Sequence, residues 1–283
     1  MATNTGTLYL CATPIGNLED MTFRAVRILQ EVDVIAAEDT RNSIKILKHF
    51  DIHTPMTSYH EYNKIEKGRS LIGRLLSGQS VALITDAGTP GISDPGEELV
   101  HMCLDANIPV TSLPGACALI NALIISGLPT RRFCFEAFLP TDKKERRQIL
   151  QYLREETRTI VLYEAPHRLK KTLQELCEAL GDRKVALCRE LTKKHETMLS
   201  MTLTEALAYY EQQEPRGEYV LVLEGRSRSS IEKEQQKVYE EMSIEAHMRL
   251  YEAQGVKRKE AMKQVAKDRG VSKREIYQAL LME

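Results

Sequence analysis

The sequence predicts an α/β protein: two consecutive α/β domains, over 1–115 and 118–226, followed by a small all-helical C-terminal module over 231–283. Three observations predict this. Through the first two thirds of the chain, short apolar runs alternate with stretches of helical period, as strands joined by covering helices do. Pro114-Gly115 interrupts that alternation, and Arg226-Ser227-Arg228-Ser229-Ser230 ends it. Beyond the second break only helical patterns occur. A length of 283 residues fits about two domains and can bury a sizeable core.

In the first domain, strands are expected at 8–13, 32–37, 55–59, 81–86 and 109–113, with helices at 22–31, 43–50, 64–77 and 96–106. The runs 32–37 and 81–84 are almost continuously apolar, which marks strands covered on both faces and hence parallel pairing. An apolar helix at 116–126 follows Pro114-Gly115. Gly127-Leu128-Pro129 ends it, because Gly fits a C-cap and Pro cannot continue a helix. The second domain has strand candidates at 132–138, 159–163, 184–189 and 218–224, and helices at 142–155, 167–180 and 204–213. The tail reads as helices at 231–242, 243–254, 257–269 and 272–281. Ala261, Val265 and Ala266, then Gly270-Val271-Ser272, then Ile276 and Leu280 give a helix-turn-helix outline.

Composition limits the function. Lys and Arg number 39 and Asp and Glu 40, a net charge of −1, which excludes a bulk polycation that grips nucleic acid everywhere. The charge is uneven, however. Residues 255–274 hold eight basic side chains against Glu260 and Asp268, a local net of +6. Such a tract is either the solvated face of two packed helices or a nucleic-acid contact. The longest nearly uncharged run, 108–130, is broken by Pro109, Pro114, Asn121 and Pro129. It is too interrupted for a membrane span of ~20 residues. The first residues lack the cationic and apolar regions of a signal peptide. Cys11, Cys103, Cys117, Cys134, Cys177 and Cys188 sit singly in apolar stretches with no C-x-x-C pair, as reduced core thiols do. The expected compartment is the cytoplasm.

Several chemistries lack their motifs. No G-x-G-x-x-G follows a strand, and no P-loop, H-E-x-x-H or G-x-S-x-G occurs. What occurs instead is a set of unusual strand exits. Thr85-Asp86-Ala87-Gly88-Thr89-Pro90-Gly91-Ile92-Ser93-Asp94-Pro95-Gly96 leaves a buried strand with three glycines, two prolines and two aspartates. Ligands of open α/β sheets sit at the carboxyl ends of strands. Small residues there admit a ligand to the backbone, and prolines reduce the entropy lost on binding. The alternative is a long surface turn. At Thr13-Pro14-Ile15-Gly16-Asn17-Leu18, Asn17 could cap the next helix or bond a substrate. At Glu38-Asp39-Thr40-Arg41, two acids and an arginine either face a cleft or form a helix cap with its ion pair. Further charged clusters are Tyr163-Glu164-Ala165-Pro166-His167-Arg168, the stretch 188–196 and Pro215-Arg216-Gly217-Glu218. A polar cleft between the domains is the common implication.

Taken as a set, TPIGNLEDMT (13–22), AAEDTR (36–41), DAGTPGISDPG (86–96), LPGACA (113–118), FEAFLP (135–140), YEAPHR (163–168), RELTK (189–193) and RGEYVLVLEG (216–225) resemble one known family. It is the bacterial ribosomal RNA small-subunit methyltransferase I family, within the tetrapyrrole (corrin/porphyrin) methylase superfamily. The strings keep the family's order and spacing and cover about residues 7–226. The tail resembles, more faintly, the helix-turn-helix module of some members.

The resemblance implies two α/β domains of the tetrapyrrole methylase type, with S-adenosyl-L-methionine in the cleft between them. It implies 2′-O-methylation of a cytidine ribose in the decoding region of 16S rRNA, by a cytoplasmic homodimer, with no metal. It places the cofactor on Asp86, Ala87, Gly88, Thr89, Ile92 and Ser93, and on Ala116, Cys117, Tyr163, Glu190 and Glu218 from the other wall. Candidates for the proton acceptor are His60, Asp39 and Glu38. Arg41, Arg168 and Lys193 are candidates for holding RNA phosphates, with Lys257, Arg258, Lys259, Lys263, Lys273 and Arg274 in the tail. Three other classes remain open. A methylase of tetrapyrroles, or of a protein side chain as in diphthamide synthesis, would share the fold without needing the basic tail. A non-catalytic RNA-binding scaffold would keep the tail without needing the rigid Gly/Pro loop.

Overall fold

Two five-stranded sheets carry the structure, a computed structural model that describes residues 5–227, 231, 239 and 241–282. In the first sheet, β1 (Leu8–Cys11), β2 (Val34–Ala37), β3 (Met56–Ser58), β4 (Val81–Ile84) and β5 (Val110–Leu113) lie in the order β3-β2-β4-β1-β5. All pairs are parallel, as the apolar strands predict. The side-chain period of two sorts each strand onto two cores. Ile35, Ala37, Ala82 and Ile84 face α1 (Phe23–Glu31) and α2 (Thr40–His49). Val34, Ala36, Val81 and Leu83 face α3 (Lys64–Leu76) and α4 (Gly96–Asp105). Thr22 and Asp39 cap α1 and α2, so α2 starts three residues earlier than its apolar period suggests.

The second sheet contains β6 (Phe133–Phe138), β7 (Thr159–Glu164), β8 (Lys184–Arg189), β9 (Thr197–Thr202) and β10 (Tyr219–Leu223), in the order β6-β7-β10-β8-β9. Only β6 and β7 are parallel; the other pairs are antiparallel. One face packs on α5 (Ala118–Ile125) through Val161, Ala186, Val220 and Val222. The other packs on α6 (Lys143–Glu155), α7 (Pro166–Leu180) and α8 (Leu203–Gln212) through Ile160, Leu162, Leu187 and Leu221. The edge strand β9 is absent from the sequence-based expectation. Its sequence, TMLSMT, lacks a continuous apolar face because the edge of this sheet is largely exposed there.

The tail forms α9 (Ile244–Ala253), α10 (Arg258–Asp268) and α11 (Lys273–Met282) around Met248, Ala261, Val265, Ala266 and Ile276. Gly270 turns the chain at φ 65°, and Ser272 and Glu275 cap α11 reciprocally. The helix expected at 231–242 falls mostly outside the described residues. Among the described residues, no helix is long and apolar enough to cross a membrane. All six cysteines are free, and burial pushes the thiols of Cys11 and Cys188 up to about 12.

Leu221 lies fully buried in β10, the middle strand of the second sheet. Leu221→Ala is expected to lower unfolding stability by about 2–5 kcal/mol, read from urea unfolding followed by circular dichroism. A loss under about 1 kcal/mol would mean that this core relaxes into the space.

Candidate active site in the cleft between the sheets

Because the first sheet is parallel, its loops after β1, β2, β4 and β5 gather at one edge. The loop after β4 is the most constrained. The Asp94 carboxylate accepts from the backbone N–H of Gly91 (2.8 and 2.9 Å), Ile92 (3.0 Å) and Gly96 (2.8 Å). This one side chain closes the loop on itself, as an Asx turn does. Ser93 sits at φ 66°, a cost that a non-glycine residue bears only where its surroundings enforce it. Gly88 exchanges backbone hydrogen bonds with Thr13 at 2.9 and 3.0 Å, and a Cβ there would fall 3.3 Å from Ile15. Its φ of 84° is open to glycine at little cost. Thr89 Oγ1 donates to the Ala116 carbonyl at 2.9 Å, fastening this loop to the segment after β5.

These loops form one wall of a cavity of about 490 Å³, and the second sheet forms the other. Asp86, Ala87, Gly88, Thr89, Ile92, Ser93, Cys117, Tyr163 and Glu218 all line it, as does Glu38. Ala116 and Glu190 do not, but each braces a residue that does: the Ala116 carbonyl accepts from Thr89 Oγ1, and Glu190 from the Glu218 N–H. The lining also includes Ile15, Asp94, Phe138, Glu164 and Leu191, which the sequence reading did not single out. Each lies inside or beside a motif already noted. For Asp94 the available signal was an Asp flanked by Gly91 and Gly96 in a loop that must close.

One corner is acidic. Asp86 accepts from the Asp39 N–H and from Asn42 Nδ2, both at 3.2 Å, so the start of α2 holds its carboxylate. Burial raises the Glu38 pKa above the ordinary carboxylate value. The Asp86 N–H opposes this, the Asp86 and Asp94 charges add to it, and His60 opposes it. Asp39 is different. Its carboxylate grips Arg41 through Nε (3.1 Å) and Nη2 (2.8 Å) and caps α2 through the Arg41 N–H (2.8 Å). These bonds hold its pKa down at about 2. His60 is not among the lining residues; its Nε2 lies 3.2 Å from Asn63 Nδ2, and its backbone N–H donates to Asn63 Oδ1. Of the three candidate proton acceptors, the structure thus brings only Glu38 to the cavity.

The opposite wall is aromatic and braced. Tyr163 packs edge-on to Phe135 at 4.9 Å and accepts from the Leu119 N–H at 3.3 Å. Burial raises its phenol to about 12. Lys193 Nζ donates to Glu190 Oε1 (2.9 Å) and Glu218 Oε2 (2.7 Å), and its stem crosses Gly16, where a Cβ would collide at 2.3 Å. Burial alone would raise Glu190; Lys193, the Glu218 N–H and Arg189 outweigh it and lower the pKa. Arg168 pairs with the buried Glu164 at 3.3 Å and donates to the Leu139 carbonyl. All three candidate phosphate-binding cations therefore pair with carboxylates of this chain, Lys193 with Glu190 and Glu218, Arg168 with Glu164 and Arg41 with Asp39, and Arg41 differs in being 88% exposed. In the tail, Arg258, Lys259, Lys273 and Arg274 gather around one groove. Lys257 precedes α10, and Lys263 pairs with Glu260 at 2.9 Å.

The cavity suits a ligand of nucleoside size with an attached charged chain. Its apolar lining residues (Ile15, Ile92, Leu191, Val220) could cover a flat ring, and acids lie on both walls (Asp86 and Glu218). That composition favours a ligand bearing positive charge.

Fold and cleft together define a methylase of the tetrapyrrole type. The family model "Tetrapyrrole (Corrin/Porphyrin) Methylases" matches residues 7–207. The diphthine synthase structure superposes with a TM-score of 0.63 at 13% identity, over 78% of this chain and 91% of that one. Uroporphyrin-III C-methyl transferase from Thermus thermophilus, complexed with S-adenyl homocysteine, superposes at 0.53 and 20%, over 77% and 92%. At such identities the likeness shows the fold alone. Sequence relatives are far nearer. Ribosomal RNA small subunit methyltransferase I of Halalkalibacterium halodurans is 52% identical, over 96% of this chain and 93% of its own. The proteins of that name from Synechocystis sp. and Bacillus subtilis are 50% and 47% identical, each over more than nine tenths of both chains. The chain belongs to the ribosomal RNA small subunit methyltransferase I family.

Removing the Asp94 carboxylate strands three backbone donors. Asp94→Ala is expected to cost about 1–3 kcal/mol in urea unfolding and to speed amide exchange over 91–96. Asp94→Asn, which keeps one acceptor oxygen, should lose less. Unchanged exchange in Asp94→Ala would show that the prolines alone hold the loop.

Proposed function

We propose that this methyltransferase transfers a methyl group from S-adenosyl-L-methionine to the ribose 2′-oxygen of a cytidine in the decoding region of 16S rRNA. The observation that carries this is the cleft. Its size, its acid-bearing walls and its rigid loop fit a cationic donor in a chain half identical to ribosomal RNA methyltransferases. When bound, S-adenosyl-L-methionine supplies an activated methyl on a sulfonium centre.

The chain's own tasks are alignment and proton acceptance. Asp86, Ala87, Gly88, Thr89, Ile92 and Ser93 provide a wall that is already ordered, with Cys117 beside them in the loop after β5 and Tyr163 and Glu218 opposite. Pre-ordered geometry can supply up to ~7–11 kcal/mol of a transfer barrier in ideal cases. The 2′-hydroxyl must lose its proton as the new O–C bond forms, and Glu38 is the carboxylate placed to take it. Burial beside Asp86 and Asp94 makes it more basic than an ordinary glutamate. Asp39 is the poorer acceptor, because Arg41 stabilises its charged form. On the substrate side, exposed Arg41 and the tail cations contact phosphates, while Arg168 and Lys193 keep the walls in place.

This reading includes a cytoplasmic homodimer acting on rRNA or the small ribosomal subunit. α5 supports the pairing: Ile120 and Ile124, one turn apart, are 42% and 64% exposed on an almost wholly apolar helix. The tetrapyrrole and diphthine methylases share the fold only, and the nearer relatives and the basic tail favour RNA.

The test is transfer of labelled methyl to small subunits from cells lacking this gene, with nuclease mapping of the product. A 2′-O-methylcytidine in the decoding region is expected. No transfer to subunits or free rRNA, despite donor binding by calorimetry, would overturn the reading. Glu38→Gln should lower kcat by about 10²–10⁴-fold, with donor affinity nearly unchanged. For the native enzyme, kcat should fall as pH drops through the raised Glu38 pKa, since the protonated acid cannot accept a proton. A flat profile with an active Glu38→Gln would remove Glu38 from that role.

A further inference from the structure

The groove between α10 and α11 has a composition that a merely solvated surface does not require. The first turn of each helix contributes two adjacent cations, Arg258 and Lys259 from α10 and Lys273 and Arg274 from α11. Four residues after the first cation of each pair, each helix then contributes an apolar or aromatic side chain, Met262 and Tyr277. Tyr277 is 54% exposed, although helices of this size have a core in which to bury it. The two helix N-termini add their partial positive charge at the same place.

The other cations of the module are arranged differently. Arg269 turns inward to the Met242 carbonyl at 2.5 Å and to His247 Nδ1 at 3.3 Å. Lys263 is paired with Glu260. Of the four groove cations, Arg258 has a carboxylate nearby, Glu252 at 3.8 Å, which is a weak exposed pair.

We propose that this groove binds an unpaired segment of RNA, with one base stacked on Tyr277 against Met262 and its flanking phosphates held by Arg258, Lys259, Lys273 and Arg274. The proposal rests on the reading of the protein as an rRNA methyltransferase and deepens it. A helix-turn-helix outline would ordinarily suggest a helix in a DNA major groove. The major groove of an A-form RNA duplex is too deep and narrow for side chains to read. An exposed aromatic ringed by cations instead matches single-stranded recognition, where bases stack on side chains and phosphates lie along a basic track.

The chain contains no tryptophan, so Tyr277→Trp installs a single tryptophan at the groove, whose emission is read with excitation beyond the tyrosine absorption. In the full-length protein, a short oligocytidylate is expected to quench that fluorescence, with an affinity that falls as salt rises. Tyr277→Ala should weaken binding of the same oligonucleotide by about 5- to 150-fold, and Tyr277→Phe should restore it. An RNA duplex of equal length should bind more weakly. Absence of quenching, wild-type affinity in Tyr277→Ala, or equal quenching by the duplex would overturn the proposal. Quenching by a polyglutamate peptide as strong as that by RNA would assign the groove to an acidic protein partner instead. Methyl transfer to subunits, measured in parallel, separates the two readings. Transfer without quenching overturns the groove alone. Quenching without transfer leaves the groove standing and overturns the proposed reaction.

Discussion

Five parallel strands set the site. Parallel pairing sends every carboxyl end of the first sheet to one edge, and the register fixes which exits are neighbours. Ala37 of β2 lies beside Ile84 of β4, so Glu38, one residue past β2, and Asp86, two residues past β4, meet without any long-range search. β1 runs between β4 and β5, so Thr13 reaches Gly88 on one side and the segment after β5 closes from the other. The acidic corner is thus a product of strand order. The loop bonds of Asp94 and Thr89 only hold what the sheet has already brought together.

The distribution of cations follows from that corner. Carboxylates gathered at a half-buried edge repel one another unless they are paired, held by backbone donors or matched by a ligand. Asp94 is held by backbone N–H groups, and Asp39 by Arg41. Across the cleft, Glu164 is held by Arg168 and Glu190 by Lys193. The groups that keep the walls rigid are therefore those that a reading of charge alone would assign to RNA. For Glu38, burial and the charges of Asp86 and Asp94 outweigh the Asp86 N–H and His60, which is why its proton is held more tightly than usual.

How much of this is legible from residues alone depends on how local the signal is. The strands β2 and β4 are readable because burial on both faces leaves them almost wholly apolar. The 85–96 loop is readable because rigidity and small size must be encoded in its own residues. The strand β9 is not, since an edge strand needs few apolar residues, and pairing with β8 supplies what its sequence omits. Nor is the mixed direction of the second sheet. β10 inserts between β7 and β8, a long-range choice that local periodicity does not record. The roles of Arg168 and Lys193 are hidden for the same reason. Their partners Glu164 and Glu190 stand close in the chain, but the carbonyl of Leu139 and the stem contact with Gly16 come from distant segments. His60 illustrates the converse: it stands beyond a strand end, as a catalytic base would, yet Asn63, three residues on, takes its ring nitrogen.

The charge balance then explains why a chain of this kind would carry a tail at all. The net charge is −1 and residues 255–274 carry +6, which leaves −7 for the remainder. A cleft built to attract a cationic donor is lined with acids, and the same acids repel the phosphates of an RNA substrate. At physiological salt that repulsion reaches only about 8 Å, so it acts at the mouth of the cleft rather than at a distance. A basic module on the same chain would offset it if it bound RNA, raising the local concentration of RNA without placing any positive charge inside the cleft. The two demands on one protein, an acidic pocket for the donor and a basic surface for the acceptor, conflict when they share a surface. Placing them on separate parts of the chain would resolve the conflict, and the pairing of Arg168 with Glu164 and of Lys193 with Glu190 is consistent with such a division.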